Sequence, residues 1–324
     1  MWFDLVIFMA VVRAIQLLFR RRTSPQLGSD GLLKLNVGRS FRALYGGNIY
    51  QALRIPDTGG RGHQLLDVLL LTEQELYIFS VQGLSGTVRT GRGGVWLETD
   101  SNGNEIEHPN AVTELKDKAA VLTQYMARRG VMLPKDFIKF KVVFVNEMAR
   151  PEQDILLVPE VLSYDRWQDI QKKASSSSIL GIETAISTAR ILSTSPLNHL
   201  HYVLSTAPTW DRLELREGGI LFGEFLRFKG PMQDVEALAV AKRSKISHYE
   251  AIHKWSVWAF LGVHTVADVK VVCYLRDHRQ GSSVQPTKVD IEVRGNLELI
   301  FQAEGTGKPR AFELRDVALL TLHA

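Results

Sequence analysis

Two apolar runs dominate the first half of the chain. His63-Gln64-Leu65-Leu66-Asp67-Val68-Leu69-Leu70-Leu71 and Tyr77-Ile78-Phe79-Ser80-Val81-Gln82 are separated by a polar stretch from Thr72 to Glu75. Runs of this length around a short polar turn predict a β-hairpin. A turn there sets Leu71 opposite Leu76 and, counting back, Asp67 opposite Ser80. Side chains alternate faces with period two, so Asp67, Ser80 and Gln82 fall on one face. Asp67 is then a lone acid on a sheet face.

The residues that follow carry a resemblance. Leu84-Ser85-Gly86, the strand at Trp96 and His108-Pro109-Asn110 before a helix stand in the order found in the nuclease-related domain, NERD. That family shows an "Asp … Glu-x-Lys-x-x-Ser-Gly … Trp … Asn-Pro" series and belongs to the restriction-endonuclease-like class. The resemblance covers roughly residues 36–160. It implies an α/β (α+β) domain with a central mixed sheet and flanking helices. Asp67 matches the family aspartate, Ser80 falls on the glutamate and Gln82 on the lysine. The family has an earlier glutamate on an N-terminal helix, whereas between Gly31 and Pro56 this chain has no Asp or Glu.

Phosphodiester hydrolysis of this kind needs a divalent metal held by several hard oxygen ligands, and a lysine to stabilise developing charge. One carboxylate with a serine hydroxyl and a neutral amide binds Mg²⁺ poorly. Asp67, Ser80 and Gln82 therefore read as a degenerate site with no metal and no cofactor. In that reading the hydroxyl and the amide satisfy Asp67 by hydrogen bonds. Glu73 and Glu75, in the turn, read as solvated rather than as migrated ligands. The competing reading is a metal-dependent nuclease or phosphodiesterase with relocated ligands around Asp67.

Residues 1–19 are apolar apart from Asp4, Arg13 and Gln16, and Arg20, Arg21 and Arg22 follow. Eighteen helical residues reach about 27 Å, enough for a thin hydrocarbon core. No basic segment precedes the run and no small-x-small site follows it, which argues against a cleaved signal peptide. The arginines place the bulk of the chain on the cytosolic side. Arg13 lies seven residues from the cluster and can snorkel. An interfacial or targeting helix, or one buried in the protein, fits the same residues less directly. Residues 1–22 thus read as a membrane anchor of the endoplasmic reticulum or outer mitochondrial membrane type.

Much of the net charge of +4 lies in Arg13, Arg20, Arg21 and Arg22, which an anchor accounts for without nucleic acid. The single Cys273 excludes an intramolecular disulfide, and Val271-Val272-Cys273-Tyr274-Leu275 reads as strand core. The acid-free stretch with Lys34, Arg39, Arg42 and Arg54 could meet phosphates, but reads as a solvated face. Gly59-Gly60-Arg61-Gly62, Gly91-Arg92-Gly93-Gly94 and Gly305-Thr306-Gly307-Lys308 read as turns between strands, not phosphate loops. His199-Leu200-His201 and His248 with His253 lack a third ligand for zinc.

Residues 23–35 read as a linker, 36–204 as the NERD-like domain and 205–324 as a β-rich domain. Asn110 caps a helix over 111–129, with Val112, Leu115, Ala119, Leu122 and Met126 as its apolar stripe and Gly130 as its end. Strands are predicted at 139–145 and 155–158, and helices at 164–174, 180–193 and 197–204. Ser175–Ser178 either caps or loops. Beyond Thr209, strands are predicted at 212–216, 220–226, 246–252, 266–276, 288–302 and 310–322, forming a small barrel or sandwich. The hairpin about Glu217-Gly218-Gly219 faintly resembles Sm-like or SH3-like barrels. Trp255, Trp258 and Phe260 read as core. The chain as a whole reads as a membrane-anchored, catalytically inactive NERD-like protein. It would act as a binding or scaffold module with a protein partner, nucleic acid being the less favoured ligand. Deleting residues 1–22 should release the chain from the carbonate-resistant membrane pellet; full-length chain already in the supernatant would refute the anchor.

Overall fold

The computed structural model describes residues 29–57, 62–100, 102–180, 194–239, 246–253, 268–276, 287–294 and 297–322. Leu33–Thr209 form one compact unit, and Trp210–Ala324 are the greater part of a second.

The first unit takes in helix α1 (Ser29–Tyr45) from Leu33 onward and the antiparallel strands β1 (Asn48–Pro56), β2 (His63–Leu71) and β3 (Leu76–Gln82). Then come β4 (Gly86–Thr90), β5 (Trp96–Thr99), β6 (Glu105–His108) and helix α2 (Ala111–Arg128). They are followed by β7 (Ile138–Phe144), β8 (Ala149–Pro151), the single turn α3 (Gln153–Leu156), β9 (Val161–Leu162), α4 (Tyr164–Leu180) and α5 (Thr194–Ser205). The central sheet runs β1-β2-β3-β7-β9, with β7 parallel to β3 and β9 parallel to β7, so it is mixed. A smaller sheet runs β6-β5-β4-β8.

The hairpin has the predicted register. Leu71 faces Leu76, and pairing continues to Val68 opposite Phe79, where it stops one step short of Asp67 and Ser80. Thr72 closes the turn: its hydroxyl accepts from the Gln74 and Glu75 amides. Both faces of the hairpin are covered. Leu69, Leu71, Leu76 and Ile78 join a core with Leu115, Leu122 and Met126 of α2 and Leu200 and Val203 of α5. Val68, Leu70 and Phe79 join another with Val37 and Phe41 of α1 and Trp167 of α4. Gly38 lets α1 approach: a Cβ there would lie 3.2 Å from both the Ile49 and Val68 side chains.

α2 forms as its pattern predicts. The Asn110 carboxamide oxygen accepts from the Val112 and Thr113 amides at 3.0 and 3.2 Å, the whole predicted stripe is buried, and Gly130 follows at φ +78°.

Several expectations are corrected. Part of the predicted linker is helix, since Ser29-Asp30-Gly31 open α1 with an acid in its first turn. Residues 155–158 are not a strand. Leu157 donates to the Gln153 carbonyl to close α3, Ile155 alone is buried, and a four-residue apolar run does not by itself separate strand from helix. Ser175 and Ser176 continue α4, each hydroxyl donating to the carbonyl four residues back at 2.9 Å. Residues 1–22, the expected helix 180–193 beyond Leu180, and Trp255, Trp258 and Phe260 lie outside the described residues. Among the described residues no helix is long and apolar enough to cross a membrane.

The second unit comprises β10 (Asp211–Leu215), β11 (Ile220–Lys229), the short helix α6 (Met232–Leu238), β12 (Ile246–His253), β13 (Asp268–Arg276), β14 (Thr287–Arg294), β15 (Glu298–Ala303), β16 (Arg310–Glu313) and β17 (Val317–Leu322). Among the described residues these strands make one antiparallel sheet, in the order β14-β13-β12-β17-β10-β11-β15-β16. The β-rich character expected of this region is observed, and α6 packs on both β11 and β14. The predicted strand 288–302 is two strands, because the chain turns where the Leu297 amide bonds the Arg294 carbonyl. The predicted strand 310–322 is likewise two, broken by a 3-10 turn at Leu314–Asp316. Cys273 is buried in the core as expected, and burial pushes its thiol up to about 11.

Phe79 is almost wholly buried, with its ring 4.4 Å from that of Phe41. Phe79→Ala should cost about 3–5 kcal/mol of stability in urea denaturation, and a loss under 1 kcal/mol would show that α1 is not held through this core.

Candidate functional site

Asp67 lies at an irregularity shared by two strands. In β1, Gln51 pairs Val68 and Leu53 pairs Leu66, while Ala52, between them, is unpaired and left-handed at φ +51°. An alanine held there costs about 1–2 kcal/mol, and strain of this kind tends to collect at functional positions. The alternation of β2 slips at the same place: Leu66 and Leu69 both lie in the α2 core, with Val68 in the α1 core.

The slip carries Asp67 to α1. Lys34 Nζ stands 2.7 Å from Asp67 Oδ1, each side chain only 15% exposed. The other carboxylate oxygen accepts from the Val81 amide at 3.4 Å, a backbone donor that the hairpin ladder leaves open. Ser80 is buried, and its hydroxyl accepts from the Gln82 side-chain amide at 2.7 Å. The predicted trio thus lies on adjacent strands, but its partners are redistributed. Asp67 is satisfied by an ammonium and a main-chain amide, not by Ser80 and Gln82.

Lys34 is the residue that sequence reasoning missed. It stands on α1, the helix that precedes the central sheet. It is neither solvated nor available to a phosphate while it holds Asp67. The signal was present in the spacing Lys34, Gly38, Phe41, Tyr45, one face of a helix. Gly38 and Phe41 bring that face to the sheet, and Lys34 comes with it.

The donor set does not fit a divalent cation. One carboxylate, already bound to a cation, and a hydroxyl already engaged by an amide fall short of the several anionic oxygens such an ion needs. Among the described residues no three His, Cys, Asp or Glu side chains gather as metal ligands. Glu75 is not simply solvated: it accepts from the Tyr77 hydroxyl and stands 3.9 Å from Lys139 Nζ. Arg13, Arg20, Arg21 and Arg22 lie outside the described residues.

The remaining motif residues build a second polar cluster. Glu98 on β5 is buried, and its carboxylate accepts from the Ser85 amide at 2.6 Å, the Ser85 hydroxyl at 3.0 Å and His108 Nε2 at 2.8 Å. The acid lies between serine and histidine, so the histidine has no contact with the hydroxyl and the group is not a nucleophile–base pair. Gly86 is at φ +72°, and a Cβ there would lie 2.1 Å from the Thr99 carbonyl oxygen. Trp96 is buried with its ring stacked 5.7 Å from that of Phe144, which ties the small sheet to the central one. Asn110 caps α2 and donates to the Gly94 carbonyl at 3.1 Å. Each of these residues holds backbone or packs core.

Residues 33–145 match the family model of the nuclease-related domain, NERD. The match is to this segment alone, under half of the chain. The match covers α1 through β7 and takes in both polar clusters. No curated protein and no solved structure matches the chain.

Burial alone would raise the pKa of Glu98, but the hydrogen bonds from Ser85 and His108 outweigh it and hold the carboxyl below its usual range. A depressed carboxyl contributes stability that is present above its unfolded pKa, about 4.3, and is lost as pH falls through the folded value. Glu98→Gln should therefore lower stability at pH 7 by about 1–3 kcal/mol. It should also flatten the loss of stability below pH 4, and an unchanged acid limb would refute this role.

Proposed function

We propose that the chain is a pseudo-nuclease: a nuclease-related domain that binds rather than cuts, tethered to a membrane by residues 1–22 and joined to a β-rich domain that helps to dock a protein partner. The observation that carries this reading is the Lys34–Asp67 pair at 2.7 Å. The acid that a nuclease would commit to its metal is neutralised by a side chain of its own domain. Two further observations support it. Ser80 and Gln82, on the positions of the family's glutamate and lysine, engage each other. By contrast Ser85, Gly86, Trp96 and Asn110, which the chain keeps from the pattern, serve the fold.

The same pair favours a second reading. A lysine beside the family aspartate can stand in for the one that Gln82 replaces, giving an enzyme with relocated groups. The two readings part on metal-dependent cleavage. Purified full-length chain with Mg²⁺ or Mn²⁺ should leave single- and double-stranded DNA and RNA uncut, and calorimetry should show no metal uptake at micromolar concentrations. Cleavage lost in both Asp67→Asn and Lys34→Gln would establish the enzyme instead.

A further inference from the structure

We infer that the Lys34 ammonium is the resident cation of this site, a covalently attached replacement for a divalent ion, and that its presence is what keeps the domain from binding metal. The inference rests on the pseudo-nuclease reading and names its cause. Lys34 Nζ lies against the Asp67 carboxylate, and the pair is largely withdrawn from water. The position is fixed from both sides. On α1, Gly38 sits one turn beyond Lys34 and holds the helix against Ile49 and Val68, while Phe41 packs on Phe79. On the sheet, Ala52 is strained and the Val81 amide grips the second carboxylate oxygen. An ammonium so placed cannot swing aside without leaving a buried carboxylate uncompensated, a costly state. A divalent ion approaching Asp67 would therefore meet a positive charge within about 3 Å of its ligand, and Coulomb repulsion there is worth several kcal/mol at the effective dielectric of a protein.

The cation sits on an element where an acid can replace it. α1 already delivers residue 34 to the Asp67 carboxylate, so a glutamate introduced there would bring a second carboxylate to the first. The sign of the local charge would reverse, with oxygens only. A site of that kind takes Mn²⁺ or Mg²⁺.

The test uses the full-length chain and Mn²⁺ alone, read by thermal shift and by the electron paramagnetic resonance signal of free Mn²⁺. Wild type should show no Mn²⁺-dependent rise in Tm, whereas Lys34→Gln, with the ammonium gone from Asp67, should show a weak one. Lys34→Glu should be less stable than wild type without metal, recover stability with Mn²⁺, and bind it at least tenfold more tightly than wild type. Adding Asp67→Asn should abolish that gain. Should Lys34→Glu alone fail to fold, Lys34→Gln keeps the test: its weak Mn²⁺ binding should be lost on adding Asp67→Asn. A folded Lys34→Glu that binds Mn²⁺ no better than wild type would overturn the inference while leaving the absence of cleavage untouched. Tight Mn²⁺ binding by wild type, lost in Asp67→Asn, would overturn it too. Cleavage of nucleic acid by wild type would instead overturn the pseudo-nuclease reading itself.

Discussion

The hairpin β2–β3 is covered on both faces, and that double burial governs the rest of the first unit. A carboxylate in such a layer has little water to meet its charge, so the partner must come from the protein. Here it comes from α1. The approach of α1 is made by Gly38 and by the stacking of Phe41 between Phe79 and Trp167. Packing that looks purely apolar thus sets the electrostatics of Asp67. Exposed pairs elsewhere, such as Arg89 with Glu105, contribute little by comparison, because water and salt screen them.

The residues of the nuclease-related pattern fall into two physical classes. Ser85, Gly86, Trp96 and Asn110 answer to backbone geometry, and changing them leaves a donor unpaired, a Cβ inside a carbonyl or a hole beside Phe144. The Ser80 and Gln82 side chains bond each other, with Ser80 buried. Gly86 could not change at all without moving Thr99.

How much of this was legible in the sequence depends on the range of the interaction. The hairpin register, the Asn110 cap, the stripe of α2 and the hairpin about Gly218 are local and periodic, and the residues declare them. The sequence misled where a short segment has two local solutions: Ile155–Val158 took one helical turn in place of a strand, and the serines after Ala174 bonded back along α4 in place of breaking it. The site was legible only by halves. Asp67, Ser80 and Gln82 were found because they lie on a periodic hairpin. Their actual bonding was not, because the slip at Ala52 and the contact with Lys34 are tertiary. No alternation rule reports that Leu66 and Leu69 share a core.

The pair also gives Asp67 a part in holding the fold. Remove Asp67 and the Lys34 ammonium is left in a largely buried position, while the Val81 amide loses its acceptor at the point where the hairpin ladder has already ended. Remove Lys34 and the carboxylate is stranded instead. Either loss is of the kind that costs more than the pair contributes when intact. Paired with Lys34, the aspartate serves the joint between α1 and the sheet. The acid most suggestive of a nuclease thus also holds the fold, and the helix that faces it sets its charge balance.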